Sequence, residues 1–213
     1  MRQALLSAGA LAALAWLAAP ARPAAAQPIA AQPIAGLAAD EVVYRSGLFE
    51  EAPPIHEPLV PGGARYVVVH LAQNRVYVFE GERAVWAAPA GTGTGFRLQS
   101  GERRWRFSTP RGLMQVRRME KDPLWEAPDW YYVERGLEPP PPNHPSRTME
   151  GVMGTTAIFL GDGIAIHGTN RPELLMDPDP EARRVSHGCI RLTNEHAREL
   201  MHMIDVGTLV LIY

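Results

Sequence analysis

Tyr66-Val67-Val68-Val69-His70-Leu71 and Arg75-Val76-Tyr77-Val78-Phe79-Glu80, with Gln73-Asn74 between them, set the fold class of this chain. Both runs are short, β-branched and aromatic, which suits a packed, pleated surface. Gln73-Asn74 is turn chemistry, so the two runs read as a β-hairpin. Gly81-Glu82 makes a second turn, and Ala84 to Ala90 reads as a third strand.

Further strands follow at Leu113-Met114-Gln115-Val116, Thr156 to Leu160, Gly163 to His167, Cys189 to Leu192 and Leu209 to Tyr213. One helix interrupts them. Asn194 reads as its cap, Ala197, Leu200, Met201 and Ile204 form one apolar face, and Gly207 ends it. One helix among many short strands predicts a mainly-β domain, a sandwich or a barrel. Residues 120–148 are irregular and rich in proline and aromatics, including Trp125, Trp130 and Tyr131. A loop of that length in a compact domain reads as a lid. Gly91-Thr92-Gly93-Thr94-Gly95 lacks the spacing of a dinucleotide loop, so it reads as a flexible connection.

Outward from the domain, residues 1–26 carry Arg2, an apolar run from Leu5 to Ala19, and Ala24-Ala25-Ala26. That is the pattern of a secretory signal peptide, with an uncleaved membrane anchor as the alternative, and the run falls short of the roughly 20 residues of a membrane span. Residues 27–63 read as a proline-rich linker, with Gln27-Pro28-Ile29-Ala30 echoed by Gln32-Pro33-Ile34-Ala35. The folded domain is then expected over 64–213. The 213 residues carry a formal charge of −2, which gives no bulk attraction to nucleic acid. An exported location, periplasm or cell envelope, and no stable span after signal cleavage are expected.

Cys189 is the only cysteine, so no internal disulfide forms. A lone thiol kept through export points to a chemical role, with a buried structural cysteine as the alternative. Around it stands Val185-Ser186-His187-Gly188-Cys189-Ile190-Arg191. A cysteine nucleophile needs a thiolate, a base that favours it, and donors for an oxyanion. In an extended strand His187 and Cys189 point the same way, and Gly188 leaves its amide open to a substrate carbonyl. His167 ends an apolar strand beside Gly168, a placement that faces a cleft. An active Cys189 is expected to alkylate well below the pH of a free thiol, whose pKa is about 8.5. The rival is a zinc held by His167, His187 and Cys189, but no Asp or Glu adjoins them as a base.

His167-Gly168-Thr169-Asn170 followed by Ser186-His187-Gly188-Cys189-Ile190-Arg191 resembles the signature of the L,D-transpeptidase catalytic domain, the YkuD-like family. The Val67-Val68-Val69 hairpin, the Ser108-Thr109-Pro110-Arg111-Gly112 turn and Gly161-Asp162-Gly163 are similar to that domain as well. The resemblance covers roughly residues 64–213. It implies a β-sandwich with Cys189 as nucleophile and His167 as general base. Gly168 would orient the histidine through its carbonyl. Ser186 and the amides of His187, Gly188 and Cys189 would match the oxyanion region. Arg191 matches an arginine-bearing branch and is assigned to a substrate carboxylate.

The implied activity is an acyl transfer without metal or cofactor. Its partners would be peptidoglycan stem peptides, as donor and acceptor, with D-alanine released. An L,D-carboxypeptidase, attachment of a protein to the wall, and a non-enzymatic wall-binding module remain as alternatives. Two features depart from the family pattern: the acidic, proline-rich stretch between His167 and Ser186, and the arginine-rich lead-in from Phe96 to Phe107.

Overall fold

The computed structural model describes residues 52–55 and 57–213. The signal-peptide reading of 1–26 and most of the linker reading of 27–63 lie outside those residues. The opening runs pair as expected. β1 (Arg65–His70) and β2 (Arg75–Glu80) form an antiparallel hairpin in which Val67 faces Val78. Asn74 turns the chain with φ of 45°, a conformation asparagine tolerates better than most residues.

β3 (Arg83–Pro89) extends the hairpin on one side, and β15 (Leu209–Ile212) runs parallel to β1 on the other. β7 (Gly112–Gln115) closes this five-stranded sheet, whose order is β3-β2-β1-β15-β7. A second sheet holds β8 (Arg118–Lys121), β11 (Thr156–Gly161), β12 (Ile164–His167) and β14 (Ile190–Arg191), in the order β14-β12-β11-β8.

The main core lies between the sheets. Val67, Val69, Val76, Val78, Val210 and Ile212 meet Ile158, Ile166 and Ile190 there. Each such side chain, fully buried, contributes roughly 1.5–3 kcal/mol. Helix α2 (Asn194–Met203) adds Ala197, Leu200 and the following Ile204, the face read from its spacing. Its cap is Thr193, whose hydroxyl accepts from the His196 amide at 3.2 Å. The expected cap, Asn194, is the first helical residue, and its Oδ1 instead accepts from the Thr155 amide at 3.2 Å. A side chain one position further in points at the neighbouring loop rather than at its own helix start.

β1 is buried on both faces, which explains a continuous apolar run where a half-exposed strand would alternate. Tyr66, Val68, Tyr77 and Phe79 point away from the main core and form a second cluster. Ala52, Ile55, Leu59 and Val60 cover it. The described end of the 27–63 segment is thus packed onto the sheet. A chain beginning at residue 64 is expected to lose about 3 kcal/mol against one beginning at residue 52, a fall in Tm of roughly 6–12 °C. Thermal melts of the two chains check this; equal midpoints would mean the strap contributes nothing.

Three stretches are more ordered than their composition suggested. Thr92–Gly93 forms β4, which pairs parallel with β13 (Arg184–Ser186), so the front of the glycine run is buried and paired, while Thr94 and Gly95 are exposed. A Cβ on Gly93 would lie 2.6 Å from the Phe107 carbonyl oxygen, and that contact explains the glycine. The arginine-rich lead-in is a hairpin of β5 (Arg97–Ser100) and β6 (Arg103–Arg106). The lid region contains a second helix, α1 (Asp129–Val133), between β9 (Trp125–Glu126) and β10 (Thr148–Met149), which pair with each other.

Candidate active site

β12 and β14 run side by side in parallel, with Ile166 beside Ile190 and His167 beside Arg191. Strand alternation then separates two faces. Ile166 and Ile190 enter the main core. Ala165 and His167 share the other face with Cys189 and Arg191. The 22-position gap between His167 and Cys189 is spanned by a loop with two short 3-10 turns, Pro172–Leu175 and Glu181–Arg183. Buried Arg183 ties this loop to the β1–β2 turn through the Gln73 carbonyl at 2.7 Å.

His167 is 5% exposed, and its Nδ1 lies 2.6 Å from the Gly168 carbonyl oxygen. A carbonyl only accepts, so Nδ1 carries the proton and Nε2 keeps its lone pair. Burial and the adjacent Arg191 charge lower the imidazole to about 4, against the pull of the Gly168 and Met153 carbonyls. The ring is therefore neutral at neutral pH, as a base must be.

Cys189 is half-buried on an apolar patch of Met153, Ala157 and Ala165, with Trp125 beside it. Burial pushes its thiol up, and neither the Ala165 backbone nor the Arg191 charge fully offsets that. The expectation of a resting, low-pKa thiolate is thus not met. Thiol and imidazole are both neutral at rest.

The turn from Ser186 to Cys189 is bent, not extended. Gly188 has φ of 131°, which favours glycine. Buried Ser186 braces the bend: its Oγ accepts from the Gly188 amide at 3.1 Å and donates to the Cys189 carbonyl at 2.5 Å. The Gly188 amide is therefore engaged and is not the open donor expected from the sequence. Among the described residues the His187 and Cys189 amides have no such acceptor, which leaves them available for an oxyanion. Thr109 supports the bend from below. Its Oγ1 donates to the Gly188 carbonyl at 2.8 Å and accepts from the Gly93 amide at 2.9 Å.

His187 does not point with Cys189. Its ring stacks on Trp130 of α1, with centroids 4.0 Å apart and planes 13° apart. Its Nε2 is 3.1 Å from both carboxylate oxygens of Glu134. The bend at Gly188 turns the two side chains apart, so His167, His187 and Cys189 do not converge as zinc ligands. Among the described residues no group of three or more His, Cys, Asp or Glu side chains is placed to hold a metal ion. Trp130 is committed to His187, and Tyr131 to the guanidinium of Arg135, 3.7 Å above its ring, so both rings anchor the lid.

Arg191 lies beside Cys189 and His167, and among the described residues its buried Nε has no hydrogen-bond partner. Burial and the nearby Arg171 charge depress it, while the sulfur favours its charged form. Three contributors escaped the sequence reading: Thr109 as a brace of Gly188, Trp130 as a direct partner of His187, and Glu134. The Ser108-Thr109-Pro110 turn was visible as a motif, but its bond to Gly188 spans 79 positions. No local pattern carries such a contact.

The L,D-transpeptidase catalytic domain family, YkuD, matches residues 64–212. The chain is 31% identical over 146 residues to the probable L,D-transpeptidase YbiS of Escherichia coli, covering 68% of this chain and 43% of that protein. It is 33% identical over 154 residues to the probable L,D-transpeptidase ErfK/SrfK of Escherichia coli, covering 68% and 42%. The chain thus spans less than half the length of these relatives. In fold, it is similar to an L,D-transpeptidase from Xylanimonas cellulosilytica, with TM-score 0.50 and 22% identity over 74% of this chain and 63% of that one. The catalytic domain of the Enterococcus faecium L,D-transpeptidase gives TM-score 0.50 and 18% identity over 72% of this chain and 100% of that one. The family match covers most of the chain and the two-sheet frame agrees with it: the chain belongs to the L,D-transpeptidase catalytic domain family.

Proposed function

We propose that this chain is an exported, cysteine-dependent L,D-transpeptidase that acts on peptidoglycan stem tetrapeptides. The observation that carries the reading is the shared face of β12 and β14, where a neutral, carbonyl-tethered imidazole stands with the only thiol of the chain. Cys189 Sγ attacks the carbonyl of the third stem residue as its proton passes to His167 Nε2. The oxyanion takes hydrogen bonds from the His187 and Cys189 amides. Collapse breaks the peptide bond, and the departing D-alanine amine takes the proton from His167. A thioester remains. An acceptor amine then attacks it and gives a proton to His167, which returns it to the departing sulfur.

Arg191, half-buried and with its Nε short of a partner among the described residues, is suited to the carboxylate of the departing D-alanine. No helix among the described residues is long and apolar enough to cross a membrane. Export rests on the leader-like residues 1–26, with the periplasm or cell envelope as destination.

The test incubates residues 27–213 with a disaccharide-tetrapeptide and reads enzyme and products by mass spectrometry. The expected result is a thioester adduct on Cys189 and a cross-linked dimer, both abolished in Cys189→Ala. Release of D-alanine without a dimer would make the chain an L,D-carboxypeptidase. Neither adduct nor product would favour a wall-binding module.

A further inference from the structure

The β5–β6 hairpin carries charge that acyl transfer at Cys189 leaves unused. Arg97 stands opposite Arg106, and Gln99 opposite Arg104. Cross-strand partners share a face, so Arg97, Gln99, Arg104 and Arg106 line one side of the hairpin. The other side carries Leu98 opposite Trp105, and Arg103, which reaches Asp129 of the lid at 3.0 Å. Like charges set directly opposite each other cost stability. Among the described residues no carboxylate pairs with Arg97, Arg104, Arg106 or Arg111.

The arginine face runs to a cavity of about 410 Å³, where Arg106 meets Arg111 and Arg184. Arg184 is held 2.9 Å from the exposed carboxylate of Glu181. Leu71 and Pro110 give the cavity an apolar wall, and Thr109 forms the side toward Gly188. The cavity is therefore one side chain away from the catalytic turn, yet Cys189, His167 and Arg191 do not line it.

Guanidinium forks that lack an acid partner match carboxylates. Alternate residues on a strand are about 7 Å apart, the repeat of an extended peptide with charges at alternate positions. We infer that Arg106, Arg111 and Arg184, with the arginine face of the β5–β6 hairpin, form a second peptide site. It takes a carboxylate-bearing stem peptide outside the Cys189 cleft. The inference rests on the proposed function for the identity of the peptide. A mixed apolar and cationic cavity suits a peptide better than a bare phosphate, which needs no Leu71 or Pro110.

The test uses the full chain carrying Cys189→Ala and follows backbone amide signals by NMR during titration. The probes are the free stem tetrapeptide, the same peptide with its carboxylates converted to carboxamides, and inorganic pyrophosphate. Expected are saturable shifts at Gly95, Arg106 and Arg111 with the tetrapeptide, and roughly tenfold weaker binding of the amidated form. The Arg106→Gln, Arg111→Gln double variant is expected to weaken binding about tenfold, while Arg83→Gln, far from the cavity, does not. All of these arginines are exposed, so folding is not at stake, and thermal melts check that. Shifts confined to the surroundings of Cys189, an equal response to the amidated peptide, or a stronger response to pyrophosphate would overturn the site. The wild-type thioester is measured in parallel. An adduct with a silent cavity refutes only this inference, and a responsive cavity without an adduct refutes only the transpeptidase reading.

Discussion

His167→Gln is expected to slow acylation of Cys189 by the stem tetrapeptide about 10³-fold, within the usual worth of a positioned general base. The resting thiol is pushed up by burial, so little thiolate exists without a base to take the proton. Glutamine fills the site and can still bond the Gly168 carbonyl, but it cannot accept that proton. Single-turnover mass spectrometry of the thioester reads the rate. A loss of less than tenfold would remove His167 from the role of base.

The same residue sets two pH responses. Its pKa near 4 in the folded protein means that the imidazole stays neutral far below the ordinary histidine range. The acid limb of kcat/KM is therefore expected near pH 4 and not near 6.5. Stability follows by linkage. The unfolded chain protonates this histidine at about 6.5, so between there and pH 4 the unfolded state binds more protons. The contribution of the neutral, buried ring is fully present above pH 6.5 and is lost as pH falls toward 4, by about 3 kcal/mol. Urea unfolding at stepped pH reads this slope, and in His167→Gln it should flatten. An unchanged slope in the variant would assign the acid sensitivity to other groups.

The second large effect is expected at the base of the lid. Arg147 is 6% exposed and holds three parts of the lid at once. It donates to the Ala127 carbonyl at 2.9 Å, to the Pro140 carbonyl at 3.0 Å and to Asp129 at 2.6 Å. Asp129 also receives Arg103 from the β5–β6 hairpin, so one carboxylate joins lid and hairpin. Arg147→Ala strands the buried Ala127 carbonyl and removes the bonds to the partly covered Pro140 carbonyl and Asp129, a cost of about 3 kcal/mol in local stability. Since α1 carries Trp130 onto His187, the loss should reach the catalytic turn. The expected outcome is rapid proteolysis within 128–143, an altered tryptophan fluorescence, and transfer reduced by roughly 10–100-fold. Arg147→Lys should rescue little, because an ammonium lacks the fork that reaches several carbonyls. Unchanged protease resistance in Arg147→Ala would mean that aromatic packing alone holds the lid.

Much of this protein is legible residue by residue. The β1–β2 hairpin, the closing strand at Leu209, the apolar face of α2 and the strand ending at His167 are local patterns. Each is written in consecutive residues through alternation, 3.6-residue spacing or turn chemistry. Ser186-His187-Gly188-Cys189 with His167-Gly168 is likewise local enough to name the chemistry. Hydrogen bonds to partners far along the chain leave no such trace. The Thr109 bond to Gly188 and the Glu134 contact with His187 depend on how two sheets and a lid stack. The engagement of the Gly188 amide by Ser186 follows from a bend that extended-strand logic does not foresee.

Tertiary structure also decided the protonation states. Nothing in the order of residues says that burial beside Arg191 leaves His167 neutral down to about 4, because desolvation is a property of the surrounding packing. Residue order by itself determined the main sheet-forming segments and offered one thiol and one histidine as the candidate nucleophile and base. Packing alone determined which amides are open, which ring faces the lid and where the proton rests. Pattern is carried by near neighbours along the chain, whereas solvation and hydrogen-bond satisfaction are set by neighbours in space.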